Sequence, residues 1–226
     1  SGGHTYTITV TDTSVVASDL TTVYGKTSVA VDASAVRQIS GTISAITAVY
    51  NAGTGEITGL GDEIAVVSGE TNNAIADAAT LNTLDGKTLG LVDVGGITSL
   101  SGLSSDLLTA YGSNGITGLG NEALTLTDTS ITTGDLMALE SETTGSVNAA
   151  SIQIINGSLS SLTNAYTDPG ISTLGTTINL SDPIISADEL NKLNYITDGN
   201  INTASVSILT GAISSLTATY SASTSS

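Results

Sequence analysis

One short phrase recurs four times in this chain, and every copy ends in tyrosine. The copies are SAITAVY, SDLLTAY, SSLTNAY and SSLTATY, which end at Tyr50, Tyr111, Tyr166 and Tyr220. These tyrosines are 61, 55 and 54 residues apart. Self-similarity at a nearly constant long period is typical of repeat proteins, in which each unit buries its apolar face against the next. We therefore expect stacked repeats that present an extended surface.

Each repeat contains two segments with helical spacing. The first has leucine followed three residues later by a second apolar residue, in the pairs Leu20 and Val23, Leu81 and Leu84, Leu136 and Leu139, Leu190 and Leu193. The second has Leu162 four residues before Tyr166 and Leu216 four residues before Tyr220. Residues three or four apart lie on one face of a helix, so both patterns predict short amphipathic helices.

A run with alternating apolar residues precedes each helical segment. The apolar pairs are Ile8 and Val10, Val29 and Val31, Leu124 and Leu126, Ile178 and Leu180. Period two with flanking Thr indicates a half-buried strand. The predicted fold class is therefore α/β, a repeat solenoid of about four units. Each unit has two strand-plus-short-helix coils of roughly 28 residues, with a parallel sheet on one face.

The repeat boundaries predict a single domain over residues 1–226, with units at approximately 4–63, 64–122, 123–177 and 178–226. Two helix starts are predicted from capping spacing, at Ser186 with Glu189 and at Thr132 with Asp135. The segments ITGLGDE, ITGLGNE and ISTLGTT, which begin at Ile57, Ile116 and Ile171, are interpreted as glycine-rich turns between the halves of the repeats.

Charge excludes some partners. The chain has 21 acidic and 4 basic residues, a net charge of -17. Nucleic-acid binding needs clustered Lys and Arg, so we expect no nucleic-acid partner. No apolar stretch approaches the roughly 20 residues needed to span a bilayer, so no membrane insertion is expected. Cysteine is absent, which excludes disulfides and thiolate metal sites.

Asp12, Asp128 and Asp182 recur at the end of the first strand of their repeats and are the candidate metal ligands. One interpretation is an Asx-turn, in which the carboxylate accepts from nearby backbone N–H groups. The other is a row of calcium ligands, since calcium prefers carboxylate and carbonyl oxygens. The second repeat has Ser68 and Gly69 near this place, which interrupts the row. No cofactor other than calcium is indicated.

The remaining polar candidates suggest no chemistry. His4 is the only histidine and lies in a glycine-flanked terminal segment, so neither a catalytic triad nor a zinc site can be built around it. Asp62, Glu63 and Glu122 follow the GLG segments and are expected to be solvated turn residues, replaced in the third repeat by Thr176 and Thr177. Two glycosylation sequons, at Asn156 and Asn179, are expected by chance in a chain so rich in Asn, Ser and Thr.

The succession TDTSI, DLxxL, GSVNAAS, SSLTxAY and GITGLGNE covers nearly the whole chain. It resembles the degenerate tandem repeats of very large secreted or cell-surface proteins of cyanobacteria and other aquatic bacteria. The resemblance implies an extracellular or cell-surface location and a structural or adhesive role in a surface layer, sheath, filament or adhesin stalk. It brings no site residues.

The function expected from these observations is a non-enzymatic extracellular structural repeat, acting as a spacer or as a building block that assembles with itself end to end. One alternative is an adhesin domain that binds glycan, mineral or ice through an array of hydroxyl side chains. A second is a polysaccharide-degrading enzyme of solenoid form, which would need two or three carboxylates converging on one groove.

Overall fold

The computed structural model describes residues 6–52, 55–68, 76–172, 174 and 177–223. The chain divides into two compact units: unit 1 contains Ser1–Ser101 with Thr109–Glu122, and unit 2 contains Gly102–Leu108 with Ala123–Ser226. The prediction of a single repeat domain therefore stays a prediction. His4 and Gly69 lie outside the described residues.

Short strands alternate with helices of eight to eleven residues. The first half of the chain contains β1 (Ile8–Thr9), β2 (Ser14–Val16), α1 (Ala17–Tyr24), β3 (Val31–Asp32), β4 (Gln38–Gly41), α2 (Ile43–Asn51), β5 (Ile57–Thr58), β6 (Ile64–Val67), β7 (Ala76–Asp77), α3 (Ala78–Asp85), β8 (Val92–Asp93), β9 (Ser99–Gly102), α4 (Ser104–Gly112) and β10 (Ile116–Thr117).

The second half contains β11 (Ala123–Leu126), β12 (Ser130–Thr132), α5 (Thr133–Glu142), β13 (Val147–Asn148), β14 (Ile154–Gly157), α6 (Leu159–Thr167), β15 (Ile171–Ser172), β16 (Thr177–Leu180), β17 (Ile184–Ser186), α7 (Ala187–Ile196), β18 (Asn200–Asn202), β19 (Ile208–Thr210) and α8 (Ile213–Ser223).

These elements recur in one order, which we label strand A, strand B, helix, strand A′, strand B′, helix and strand A″. The A strands are β1, β6, β11 and β16, and each begins a new repeat. The A″ strands are β5, β10 and β15. Within every repeat the second helix starts 26 residues after the first.

Parallel pairing joins strands of successive coils. In unit 1, β1, β3 and β5 pair in that order, β2, β4, β6, β8 and β10 pair in that order, and β7 pairs with β9. In unit 2 the orders are β11-β13-β15, β12-β14-β16-β18 and β17-β19. Paired residues are 23 to 27 positions apart in sequence, for example 23 for Leu124 with Val147 and 27 for Ala65 with Val92. The α/β class with parallel strands is thus confirmed.

The predicted helical faces form the core. Leu81, Leu84, Leu136 and Leu139 are fully buried, and the strand residues beneath them are buried as well. Val23 is the exception, because its side chain is 37% exposed on α1. Burial of a leucine side chain contributes about 2 kcal/mol. Repetition of this small contribution stabilises a chain that has no Phe or Trp.

The helices begin where the sequence predicts. Thr132 Oγ1 accepts a hydrogen bond from the Asp135 N–H at 3.1 Å, and Ser186 Oγ accepts from the Glu189 N–H. The Asp135 carboxylate does not reach back to backbone, because its Oδ2 accepts instead from the Thr132 hydroxyl at 2.8 Å. Only half of the expected capping box is therefore formed at α5.

Three details of the expected coil are wrong. A second strand, B or B′, lies between the predicted strand and each helix. The ITGL and ISTL segments, interpreted as turns, begin with the A″ strands. The strands form several sheets, because an A strand and the B strand after it belong to different sheets. The added strands are only two to four residues long, too short for periodicity to reveal them.

Glycine is needed after each of the first two A″ strands, at Gly59 and Gly118, where φ is +82° and +90°. A Cβ on Gly59 would lie 2.7 Å from Ser34 Cα, and one on Gly118 would lie 2.5 Å from the Gly95 nitrogen. These glycines allow the backbone to turn against the preceding coil, where any side chain would collide.

We predict that Gly118→Ala lowers the free energy of unfolding by at least about 2 kcal/mol, because positive φ and a backbone collision both oppose a methyl group. The matched control is Gly112→Ala, since a Cβ at Gly112 meets nothing within 4 Å. Urea unfolding followed by circular dichroism measures both variants. Equal midpoints for the two would contradict the described turn.

Candidate functional site

Two buried carboxylates occupy the turns after A″. Glu63 and Glu122 are 0% exposed. Glu122 accepts from the Tyr111 hydroxyl at 2.7 Å and from the Gly120 N–H at 3.0 and 3.1 Å. Glu63 accepts from the Tyr50 hydroxyl at 3.2 Å and from the Gly61 N–H at 2.8 Å. Each glutamate thus ties the recurrent tyrosine at a helix end to the glycine turn.

The expectation that Glu63 and Glu122 are solvated is wrong, whereas Asp62 is exposed as expected. The GLG-x-E sequence that follows Tyr50 and Tyr111 is the signal in the sequence for these two pairs. Tyr50 lies 13 residues before its glutamate and Tyr111 lies 11 before. A charged or polar group enters a core only with partners, and these partners come from the same repeat.

The Glu63 site differs from the Glu122 site in the hydrogen bonding of one carboxylate oxygen. Glu63 Oε1 is buried and makes no hydrogen bond among the described residues. Thr88, which is also buried, donates to the Gly61 and Glu63 carbonyl oxygens, both at 3.3 Å. A Cβ added at Gly90 would overlap the Glu63 carbonyl oxygen, so the backbone of Gly90 packs closely against that of Glu63.

Burial raises the pKa of Tyr50 to about 12. A hydrogen bond to Thr88 lowers this pKa, whereas the charge of the nearby Glu63 raises it further. Burial also raises the pKa of Tyr166, where a hydrogen bond to Thr197 acts in the opposite direction. Both phenols therefore stay protonated near neutral pH. Neither phenol is therefore suited to act as a base, and Tyr50 acts as a hydrogen-bond donor to Glu63.

The third repeat lacks the glutamate, whose place is taken by Thr177, the first residue of β16. Thr176, which stands where Asp62 stands in the first repeat, lies outside the described residues. Tyr166 is half-buried, and Tyr220 is 69% exposed. The recurrent tyrosines therefore share a position on their helices but differ in surroundings.

Two of the candidate calcium ligands cap helices of the preceding coil. Asp128 Oδ2 accepts from the Ser104 N–H at 2.7 Å, and its Oδ1 accepts from the Ser104 hydroxyl at 3.1 Å. Asp182 Oδ2 accepts from the Leu159 N–H at 2.6 Å. The Asx-turn interpretation is wrong for these two, because their donors lie 24 and 23 residues away. A carboxylate at a helix N-terminus satisfies an N–H group and interacts favourably with the helix dipole.

Asp12 is the exposed member of this row. The structure does not bring the three aspartates together, because Asp128 caps α4 and Asp182 caps α6. Among the residues that the structure describes, no group of three or more His, Cys, Asp or Glu side chains could hold a metal ion. Calcium binding stays a prediction.

The sequon asparagines form a ladder in unit 2. Asn179 Nδ2 donates to Asn156 Oδ1 at 2.9 Å, and Asn202 Nδ2 donates to Asn179 Oδ1 at 3.0 Å. Asn156 Nδ2 itself donates to the Ile131 carbonyl oxygen at 3.3 Å. These amide groups join β12, β14, β16 and β18 side by side. Modification of Asn156 or Asn179 would break the ladder.

Hydroxyl side chains on the strands also bond between coils. Thr58 donates to the Val31 carbonyl oxygen and Ser172 to the Val147 carbonyl oxygen, both at 3.3 Å. The outward row that begins Thr9, Asp32, Thr58 mixes threonine with a carboxylate. It is not the uniform threonine array that the ice-binding alternative would favour.

The last coil of unit 2 has an open cleft of about 870 Å³ with a mixed lining. Its apolar residues include Ile201, Leu209 and Tyr220, and its polar residues include Asn191 and Asn194. On helix α8, Ile213 is 85% exposed. The equivalent first residues of α2 and α6, Ile43 and Leu159, are 5% and 4% exposed. This end of unit 2 thus exposes positions that are interior in other coils.

None of the described helices combines the length and the apolar character needed to cross a bilayer. No protein-family model, curated protein or solved structure matches the sequence. Function must therefore be inferred from the residues and their contacts.

We predict that Asp182→Ala lowers the free energy of unfolding by about 1 kcal/mol, the usual effect of losing a helix N-terminal cap. Asp62→Ala is the control, because Asp62 lies in an exposed turn. Thermal unfolding in millimolar calcium and in chelator tests the other interpretation. A midpoint that rises with calcium in the parent chain, and not in Asp182→Ala, would show that Asp182 is a calcium ligand.

We predict that alkaline pH destabilises the fold through Tyr50. The folded pKa of about 12 lies above the ordinary value of 10.0. Stability from the neutral phenol is therefore complete below pH 10 and is lost as pH rises through about 12. Tyr50→Phe should reduce this alkaline loss, whereas Tyr195→Phe, at a residue 90% exposed, should not. Urea midpoints between these pH values measure the difference, and identical pH profiles would contradict it.

Proposed function

We propose that this chain is a non-enzymatic structural repeat that acts outside the cell as a spacer or building block, with its repeats arranged as a solenoid. The observation that carries the proposal is that the polar side chains form hydrogen bonds between neighbouring turns and coils. Glu122, Asp182 and Asn179 each bond to a group in a neighbouring turn or coil, and such bonds recur from repeat to repeat. Side chains that hold backbone together suit a load-bearing element.

The strand pairing supports the same role. The step between paired strands stays within 23 to 27 residues and the pairing is always parallel, so successive coils meet their neighbours in a similar way. Length then follows from repeat number, as in other linear repeat proteins. A spacer needs this property, whereas an enzyme needs one unique site.

An extracellular location is part of the proposal. The chain contains no cysteine and only four basic residues, and its surface carries Ser, Thr, Asn and scattered carboxylates. Its repeat consensus resembles that of large bacterial surface proteins. A net charge of -17 favours solubility and discourages contact with anionic polymers.

Small-angle X-ray scattering tests the solenoid and the spacer role together. We compare the chain with a variant that carries a second copy of residues 123–177 inserted after residue 177. Two added coils should lengthen the maximum dimension by about 10 Å at a strand spacing of ~4.8 Å, with an unchanged cross-sectional radius.

The control is an insertion of the same length made of Gly and Ser, which should broaden the distance distribution without adding strand signal in circular dichroism. Growth of the cross-section with the extra repeat would indicate a globule and would contradict the proposal.

A further inference from the structure

We propose that Asn114 is a site of self-modification, at which the folded chain promotes its own deamidation to aspartate and isoaspartate. The backbone nitrogen of Gly115 attacks the Asn114 side chain, while Ser113 and Asp85 take up the proton of that nitrogen. Three of these residues lie in the turn between α4 and β10, and Asp85 ends α3, all within unit 1. The inference does not depend on the spacer role.

Two consecutive hydrogen bonds link the backbone of this turn to a carboxylate. The Gly115 N–H donates to Ser113 Oγ at 3.0 Å. The Ser113 hydroxyl in turn donates to Asp85 Oδ2 at 2.7 Å, across 28 residues of sequence. A hydroxyl that accepts from one group and donates to a carboxylate can pass a proton from the first to the second. Asp85 is thereby placed to act as the base for the Gly115 nitrogen.

Packing holds the Asp85 carboxylate against the same glycine. Asp85 is half-buried at the last position of α3. A Cβ added at Gly115 would overlap Asp85 Oδ1, so the carboxylate lies directly against the Gly115 backbone. A general base must reach its proton directly or through one bridging group, and here the Ser113 hydroxyl is that bridge.

Asn114 supplies the carbonyl carbon that is attacked. Bonding between the Gly115 nitrogen and Asn114 Cγ closes a five-membered imide ring, which is the usual first step of asparagine deamidation. Asn114 is exposed, and its side chain makes no hydrogen bond among the described residues, so it is free to turn toward that nitrogen. Residue 115 is glycine and has no side chain to block the approach.

The reaction balances in atoms and protons. As the Gly115 nitrogen bonds to Asn114 Cγ, its proton moves to Ser113 Oγ and the Ser113 proton moves to Asp85. The bond between Cγ and Nδ2 of Asn114 then breaks, and Asp85 returns the proton through Ser113, so that ammonia leaves. One water molecule opens the imide. Cleavage of its bond to Cγ yields aspartate, and cleavage of its bond to the backbone carbonyl carbon yields isoaspartate.

The same turn recurs elsewhere in the chain without an asparagine. In the turns 88–90 and 143–145 a threonine hydroxyl also accepts from the glycine N–H two residues later, at 2.9 Å. Their middle residues, Leu89 and Thr144, have no side-chain carbonyl. The bond between hydroxyl and glycine is therefore a structural element of the repeats, and Asn114 is the residue that makes this copy of it reactive.

Another Asn-Gly pair, Asn156 with Gly157, has surroundings that oppose the reaction. Both residues belong to β14. Asn156 Oδ1 accepts from Asn179 Nδ2 at 2.9 Å, and Asn156 Nδ2 donates to the Ile131 carbonyl oxygen at 3.3 Å. The side chain would have to leave this ladder before its Cγ could meet the Gly157 nitrogen. The chain thus contains one dipeptide in a reactive and in a protected environment.

Isoaspartate at residue 114 would disturb the strand that follows. It directs the backbone through the side-chain carbons and so lengthens the chain by one atom just before β10. The Gly115 carbonyl oxygen accepts from the Val92 N–H at 2.8 Å, and Ile116 is paired with Val92. A longer backbone at residue 114 displaces this acceptor. The pairing of β10 with β8, at one edge of the five-stranded sheet, is therefore weakened.

Incubation of the folded chain at neutral pH in isotopically labelled water, followed by peptic digestion and mass spectrometry, measures the reaction at both asparagines. We expect the Asn114 peptide to deamidate and to incorporate oxygen from the water, while the Asn156 peptide stays unchanged. In concentrated urea the relay is lost, and both peptides should react at similar, slower rates. Equal rates at the two sites in the folded chain, or a faster reaction of Asn114 in urea, would overturn the proposal.

Variants of the relay separate proton transfer from simple exposure. Ser113→Ala removes the bridging hydroxyl, and Asp85→Ala removes the base. Each should slow deamidation of Asn114 at least about tenfold, since a positioned base contributes that much or more. Ser113→Thr keeps the hydroxyl and should retain the rate of the parent chain. Circular dichroism checks that each variant is folded, and parental rates in both alanine variants would overturn the assigned relay.

Urea unfolding of aged and fresh protein tests the effect on β10. The aged parent chain should have a lower urea midpoint than the fresh chain. Asn114→Gln should show no such change, because its side chain would have to close a six-membered ring, which forms far more slowly. Fresh Asn114→Asp carries the new charge without the extra backbone atom and should keep the midpoint of the fresh parent. A midpoint lowered equally by Asn114→Asp and by ageing would contradict the proposed effect on strand pairing.

Discussion

The pairing of a B′ strand with the A strand of the next repeat is the contact on which the rest of the structure depends. Through this pairing a sheet that begins in one repeat continues into the next: β4 pairs with β6, and β14 pairs with β16. A strands and B strands of one repeat lie in different sheets, and the sheets that run from β2 to β10 and from β12 to β18 each combine strands of two successive repeats. Stability must therefore be cooperative between neighbours, as expected for linear repeat proteins.

Polar side chains reinforce this contact without adding bulk. A carboxylate that caps the helix of the preceding coil, such as Asp182, fixes both the rotation and the register of the coil that carries it. The buried Glu122 does the same at the glycine turn through Tyr111. Such bonds are worth more in a core of small aliphatic residues, because little water reaches them. Such bonds add to the stability of a chain that has no Phe or Trp.

The parts of the fold that the sequence predicted are those with a repeated apolar signal. Leu81 and Leu136 were recognisable because a second leucine follows at helical spacing, and Ile178 with Leu180 because they alternate. The B strands were missed because three residues such as Ser130–Thr132 carry no period. The row of aspartates is visible in the sequence, but its hydrogen-bond partners are not, because a bond between residues 23 positions apart produces no local sequence pattern.

The recurring order of A and B strands has a genetic consequence. A duplication with both breakpoints at equivalent residues of two GLG turns adds one B, B′, A, A′, A″ set and leaves every existing joint intact. Recombination between repeats can therefore lengthen the polypeptide without inventing a new contact. In the proposed solenoid, molecular length would then be a heritable quantity that varies in uniform increments, and selection could tune the reach of the protein without disturbing its fold.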